Sequence, residues 1–332
     1  MTRYTKVVFL VLAHKPDPFN LLIKSLGDAF DCFVHVDARV PIAPFKAAAS
    51  KRVRLIEKRT PIFWGGNNSI TATLDLIRTA IDAVPDFGRL ALISGDCLPV
   101  ADLDTLQAIL GEGEVEFIQT FPVQNDPALR NQDPVLAVER YGWRQPARFQ
   151  TFVFWDHELL NPRGRAAAIK KYGGELDGRL DEIRRDVQEI VSSIFTDFPP
   201  RPPLFEKFFY GASWWAISRE ATLQILDQLH SDDFREYFKY FRCADEHFIH
   251  CAFGNNPALH ARKRRPFMHL GHPMVEDTSV HHLKAAMLPP IHRETGCLFA
   301  RKFDPAATPD IAQAIAEGRY FEILRRTSAT DP

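Results

Sequence analysis

Two stretches, FFYGASWWAISRE and FRCADEHFIH, hold the residues best suited to chemistry on a polar ring. Asp245 and Glu246 are adjacent carboxylates, and one of them could take a proton from a hydroxyl as a general base. Trp214 and Trp215 offer flat apolar faces on which a sugar ring can rest. Plainer readings stand beside both. The spacing of Phe248, Ile249 and Phe253 predicts a helix with the two acids in its first turn, where the macrodipole alone favours them. Alternation of Ala212, Trp214 and Ala216 with Ser213, Trp215 and Ile217 predicts a strand. Only one indole can then face a site, and Trp215 is the one preferred. Ser218 is placed to cap a following helix that carries Ile225, Leu226 and Leu229 on one side.

Other candidates lie where strands should end. Apolar runs at 6–13, 32–36, 53–56, 89–93 and 115–119 alternate with amphipathic segments at 18–26, 69–83 and 103–110. That alternation predicts an open, mostly parallel α/β sheet with ligands at its carboxyl edge. His14, Asp37 and Asp96 would gather there, as ligand acceptors or as ordinary turn residues. FWGGNNS, with Trp64 and Gly65, joins a tight turn to a helix start whose free N–H groups could meet an anion or a hydroxyl. Neither GxGxxG nor GxxxxGK[ST] occurs, which argues against a dinucleotide fingerprint and a P-loop.

The formal charge of −1 gives no general attraction to nucleic acid or anionic lipid, so any basic site must be local. HARKRRPFMHLGHP is such a place and reads as a phosphate site. Its His269 and His272, with His281, His282 and His292 beyond, raise a metal site as an alternative. The five cysteines have no CxxC spacing, so no disulfide framework or zinc knuckle is implied. The apolar run at 7–13 is too short to span a membrane and reads as a buried strand of a cytoplasmic chain. Lys302, beside Phe303 in a short extended run, reads as an oriented cation or a solvated lysine.

Taken in order, AHKP, HVD, WGG, LISGDCLP, YGASWWAIS, ADEHF and LFARKFD resemble the core-2/I-branching glycosyltransferase family. That family includes branching β-1,6-N-acetylglucosaminyltransferases and protein O-xylosyltransferases. The motifs run from near residue 7 to near residue 305, while 121–203 match poorly apart from Glu139 and Arg140. The resemblance implies a GT-A-type, Rossmann-like α/β fold with a mostly parallel central sheet flanked by helices. It implies a single domain over 1–332: a nucleotide-binding half (1–120), a variable insertion (121–205) and an acceptor and catalytic half (206–332).

The implied reaction is inverting transfer of GlcNAc or xylose from a UDP-sugar to a hydroxyl of a glycan, lipid-linked glycan or protein. Glu246 takes the place of the family's base. His14, Asp37, Asp96, Arg265 and Lys302 fall to the nucleotide, with Arg265 preferred over Arg262 and Arg264. Trp64, Gly65, Glu139, Trp214, Trp215 and Asp245 fall to the acceptor or donor sugar. Ala244 stands where the family often has Pro. HVDARV and SGDC each hold a lone Asp rather than a DxD, so fixed Arg and Lys side chains, with no metal cofactor, should stabilise the leaving diphosphate. No nucleic-acid partner and no membrane span are expected, and peripheral association with the inner face of the membrane stays open. Two other classes also stay open: a non-catalytic carbohydrate-binding protein, and a metal-dependent hydrolase using the His269–His282 cluster.

Overall fold

The run VVFLVLA forms β1 (Val7–Ala13), the middle of a five-stranded sheet in a computed structural model of the chain. The structure describes residues 6–62, 68–122, 204, 207, 209–238, 244–270, 283 and 288–326. β1 pairs in parallel with β2 (Asp31–Val36) on one side and β4 (Arg89–Ser94) on the other. β3 (Val53–Leu55) extends the sheet beyond β2. β9 (Trp215–Ser218) closes the other edge antiparallel to β4, giving the order β3-β2-β1-β4-β9. Successive residues of β1 feed opposite cores. Val8 and Leu10 join one hydrophobic cluster, and Val7, Phe9 and Val11 the other. A sheet buried on both faces needs helices on both, and its strands are accordingly almost wholly apolar.

α1 (Pro16–Leu26) and α3 (Leu103–Leu110) cover one face, burying Phe19, Leu22, Leu106 and Leu110. Pro16 begins α1, where its missing N–H costs nothing, and Gly27 ends it at φ 55°. Asp102 caps α3 through the Thr105 N–H at 2.9 Å. The opposite face carries α2 (Asn68–Ala83), α4 (Arg219–His230), α5 (Asp232–Phe238) and α6 (Phe248–Gly254). Ser218 caps α4 as expected, accepting from the Ala221 N–H at 3.1 Å.

Three small sheets place the remaining pieces. β5 (Cys97–Pro99) runs antiparallel to β12 (Phe299–Arg301), which pairs in parallel with β11 (Met268–His269). That brings residues 299–302 against the end of β4. β7 (Phe121–Pro122) pairs with β8 (Phe209–Tyr210), and β10 (Lys263–Arg264), after α7 (Pro257–His260), pairs with β6 (Val115–Glu116). α8 (Leu288–Thr295), α9 (Pro309–Ala316) and α10 (Tyr320–Arg326) form a third cluster with Leu98 and Val100.

The structure corrects two sequence expectations. Asp245 and Glu246 lie in a 3-10 turn, Ala244–Glu246, and α6 starts after His247, so the acids precede the helix rather than cap it. The tryptophan strand is shorter than its alternation implied, beginning at Trp215. Among the described residues no helix is long and apolar enough to cross a membrane.

Candidate active site

β1 leaves toward β2 on one side and the chain returns as β4 on the other, so a crevice opens at the carboxyl ends of these strands. A cavity of about 390 Å³ occupies it. His14, Asp37 and Ser94 form its floor, and Ser69 reaches it from the first turn of α2. Trp214, Asp245, Glu246, Arg301 and Lys302 form its walls. This volume suits a small organic ligand, and the lining is unusually rich in opposed charges.

Asp37 follows β2, and its carboxylate is almost fully covered. It accepts from the Arg39 backbone N–H (2.9 Å), from Arg39 Nη2 (2.8 Å) and Nε, and from the Ile62 N–H (3.3 Å). Arg59 ties the same loop down through the carbonyls of Val36, Asp37 and Val40. Beneath it, buried His35 accepts the Thr60 N–H on Nε2 at 2.8 Å, which requires a neutral ring. Burial pushes His35 down to about 4.

Asp96 follows β4 and takes the Ser94 hydroxyl on Oδ1, where Arg301 Nη2 (3.1 Å) and Nε (3.3 Å) also donate. Burial works against its charge. Arg301, the Ser94 hydroxyl, His14 and Lys302 outweigh that and hold its pKa below the ordinary value. The Arg301 guanidinium lies over the Trp214 ring, 4.8 Å from its centroid. Lys302 follows at the cavity wall, its pKa lowered by partial burial and by Arg301, with Asp96 opposing.

The acidic wall is held by backbone bonds. The Gly211 N–H donates to the Glu246 carbonyl (2.9 Å), the His247 Nδ1–H to the Phe209 carbonyl (3.2 Å) and the His250 Nε2–H to the Ala212 carbonyl (3.0 Å). Gly211 is required there, since a Cβ would sit 1.8 Å from the Gln119 carbonyl oxygen. The Ser213 hydroxyl donates to Asp245 Oδ2 at 2.7 Å. Burial raises the Asp245 pKa, against the Ser213 bond and Arg301. Glu246 is exposed at the rim of the cavity.

His14, Asp37, Trp214, Asp245, Glu246 and Lys302, all singled out in the sequence, therefore meet in one cavity, and Asp96 stands behind its lining, paired with Arg301. Trp215 and Arg265 do not join them. Trp215 is 1% exposed inside the core between β4 and α4, so the indole at the cavity is Trp214, not the preferred Trp215. Arg265 follows β10, where its N–H bonds the Glu116 carbonyl and its side chain lies 3.6 Å from Glu112, away from the cavity. Pairing with β6 carries the basic run to the far end of the sheet.

Arg39 lines the cavity, and so does Arg301. Arg301 had a local signal, being the residue before Lys302 and on the same side of a short strand as Phe299. Arg39 and Ser213 were also missed. Trp64, Gly65, Glu139, His272, His281 and His282 lie outside the described residues. His269 sits on β11, half buried. Among the described residues no group of three His, Cys, Asp or Glu side chains is placed to hold a metal ion.

A family model described as Core-2/I-Branching enzyme matches residues 7–132, less than half of the chain. The match takes in the strand-end residues His14, Asp37 and Asp96, while the opposite wall of the cavity lies beyond it. It supports a glycosyltransferase related to that family, acting on a nucleotide sugar. A search of curated proteins finds no match.

Proposed function

We propose that the chain transfers a sugar from a UDP-sugar to an acceptor hydroxyl with inversion, without a metal cofactor. GlcNAc or xylose is the sugar that the motifs favour, and a glycan or glycoconjugate the acceptor. The observation that carries this reading is the meeting of Asp245 and Glu246 with Arg301 and Lys302 in one cavity at the carboxyl edge of the sheet.

In this reading the acceptor oxygen attacks the anomeric carbon as the bond to the β-phosphate oxygen breaks. The acceptor proton passes to Glu246, and the leaving electron pair stays on the diphosphate. Inversion in one step needs a single base, and Glu246 at the rim meets an incoming hydroxyl first. Asp245 faces Ser213 and orients the turn. Lys302 and Arg301 supply fixed positive charge where the leaving group becomes more negative. The carboxylates of Asp37 and Asp96 are each engaged by an arginine, so neither offers a cation an open pair of oxygens.

Glu246→Gln should lower turnover by roughly 10²–10⁴-fold and leave UDP affinity within about twofold. Asp245→Asn should cost less. Full activity in Glu246→Gln with loss in Asp245→Asn would move the base to Asp245. UDP binding without transfer or hydrolysis of any UDP-sugar would leave a binding protein.

A further inference from the structure

The sequence offers Trp214 as a platform for a sugar ring. In the structure one face of that ring is already covered by a cation. Arg301 is held on its edge by Asp96 Oδ1, at 3.1 and 3.3 Å, and on its face by Trp214, at 4.8 Å. Asp96 is itself fixed by the Ser94 hydroxyl and almost wholly buried, with 4% of its side chain exposed against 15% for Arg301. Of these three side chains, only Trp214 and Arg301 reach the cavity wall. A guanidinium so pinned has lost its rotamer freedom before any ligand arrives, and a fixed charge stabilises a developing anion better than a mobile one.

We infer that Trp214 and Asp96 are positioning residues that lock Arg301 against the diphosphate, and that Trp214 is not an acceptor platform. This rests on the cavity being the UDP-sugar site. Trp214 also packs against both cores that flank the sheet, so its ring is anchored from behind while it holds the cation in front. The arrangement is a clamp of one carboxylate, one cation and one indole, drawn from the end of β4, the end of β12 and the turn before β9.

The test uses 5-fluorotryptophan-labelled full-length protein, whose five tryptophans give separate ¹⁹F signals. The Trp214 signal is assigned by its absence in Trp214→Phe. It should shift in Arg301→Ala and in Asp96→Asn without any ligand; a signal indifferent to both overturns the clamp. UDP titration and UDP-GlcNAc hydrolysis then measure the consequence. Trp214→Leu should weaken UDP binding and slow hydrolysis by about tenfold, and Trp214→Phe, which keeps an aromatic face, by less. In an Arg301→Ala background Trp214→Leu should add almost nothing. Thermal melting checks that each variant is folded. If Trp214→Leu leaves UDP binding and hydrolysis untouched, its role lies with the acceptor and the inference fails. If the Trp214 signal responds to Arg301 but wild-type protein ignores UDP, the nucleotide-sugar reading fails while the clamp stands.

Discussion

Two carboxylate–arginine assemblies sit at opposite ends of β4, roughly 17 Å apart by strand rise. Both stack the guanidinium on an aromatic ring: Arg89 lies 5.1 Å from the centroid of Phe117, and Arg301 4.8 Å from that of Trp214. They differ in what surrounds the arginine. Arg89 is closed in by the carbonyls of Leu110, Glu112, Val115 and Ala216, at 2.6–2.9 Å. Its partner Glu116 accepts from the Ser218 N–H (2.8 Å), the Ser218 hydroxyl (2.6 Å) and Arg262 (2.7 Å). Burial pulls Arg89 down to about 10, with Glu116 opposing, so it stays charged at neutral pH. Arg301 instead borders open space. The same three groups make a strut where every polar atom is matched and a site where one side is left to a ligand.

Breaking the strut should have the largest effect. Glu116→Ala would leave Arg89 charged and fully buried without its acid, which should cost roughly 3–5 kcal/mol in urea unfolding. The loss should be global, with the transition midpoint falling and any activity of the folded fraction unchanged. A variant as stable as wild type would mean that the surrounding carbonyls alone satisfy Arg89.

The site end should answer differently. Lys302→Ala removes a half-buried cation at the wall and should leave the melting temperature nearly unmoved. UDP binding should weaken by about 10–100-fold, and UMP, which lacks the β-phosphate, should be affected much less. Equal losses for both nucleotides would point to a folding defect rather than a diphosphate contact. Turnover should survive excess EDTA, and rescue of an EDTA-inactivated enzyme by Mn²⁺ would overturn the metal-free reading.

What could be read from sequence follows the same division. β1, β2 and β4 were legible because strands buried on both faces are written as apolar runs, and Ser218 because a cap is local. β5 was not, because CLP becomes a strand only by pairing with β12, some two hundred residues later. The basic run at 262–265 looked like the phosphate site, yet parallel pairing of β10 with β6 commits it to the strut, where Arg262 bonds Glu116. The choice between Trp214 and Trp215 turned on where β9 begins. Alternation says that neighbouring side chains diverge, and not which one meets the core. Asp245 and Glu246 were found by type, but the tight turn that presents them depends on backbone bonds from Gly211, His247 and His250.

Those histidines yield the smallest and most local expectation. His35 lies under the Asp37 loop, and His247 and His250 under the acidic wall, so all three brace the site end, while the strut relies on arginines and one acid. Burial depresses His35 and His247 to about 4 and His250 to about 3, with His247 adding to the effect on His250. The unfolded chain holds these protons below about 6.5, and the native state refuses them until much lower pH. Between those limits the unfolded state binds more protons, so stability falls as pH falls. Each histidine should cost roughly 1.4 kcal/mol by pH 5.5 relative to neutral. A protonated His35 can no longer accept the Thr60 N–H, and a protonated His250 loses its acceptor for the Thr120 hydroxyl at 3.4 Å. Amide exchange at pH 7.5 and 5.5, corrected for the intrinsic rate, should therefore show the amides of Thr60, Ile62 and Gly211 losing protection. The amides of Ser218 and Arg265 at the strut should change little. Uniform loss at both ends would mean that the histidines act on global stability alone, and that the two ends open together.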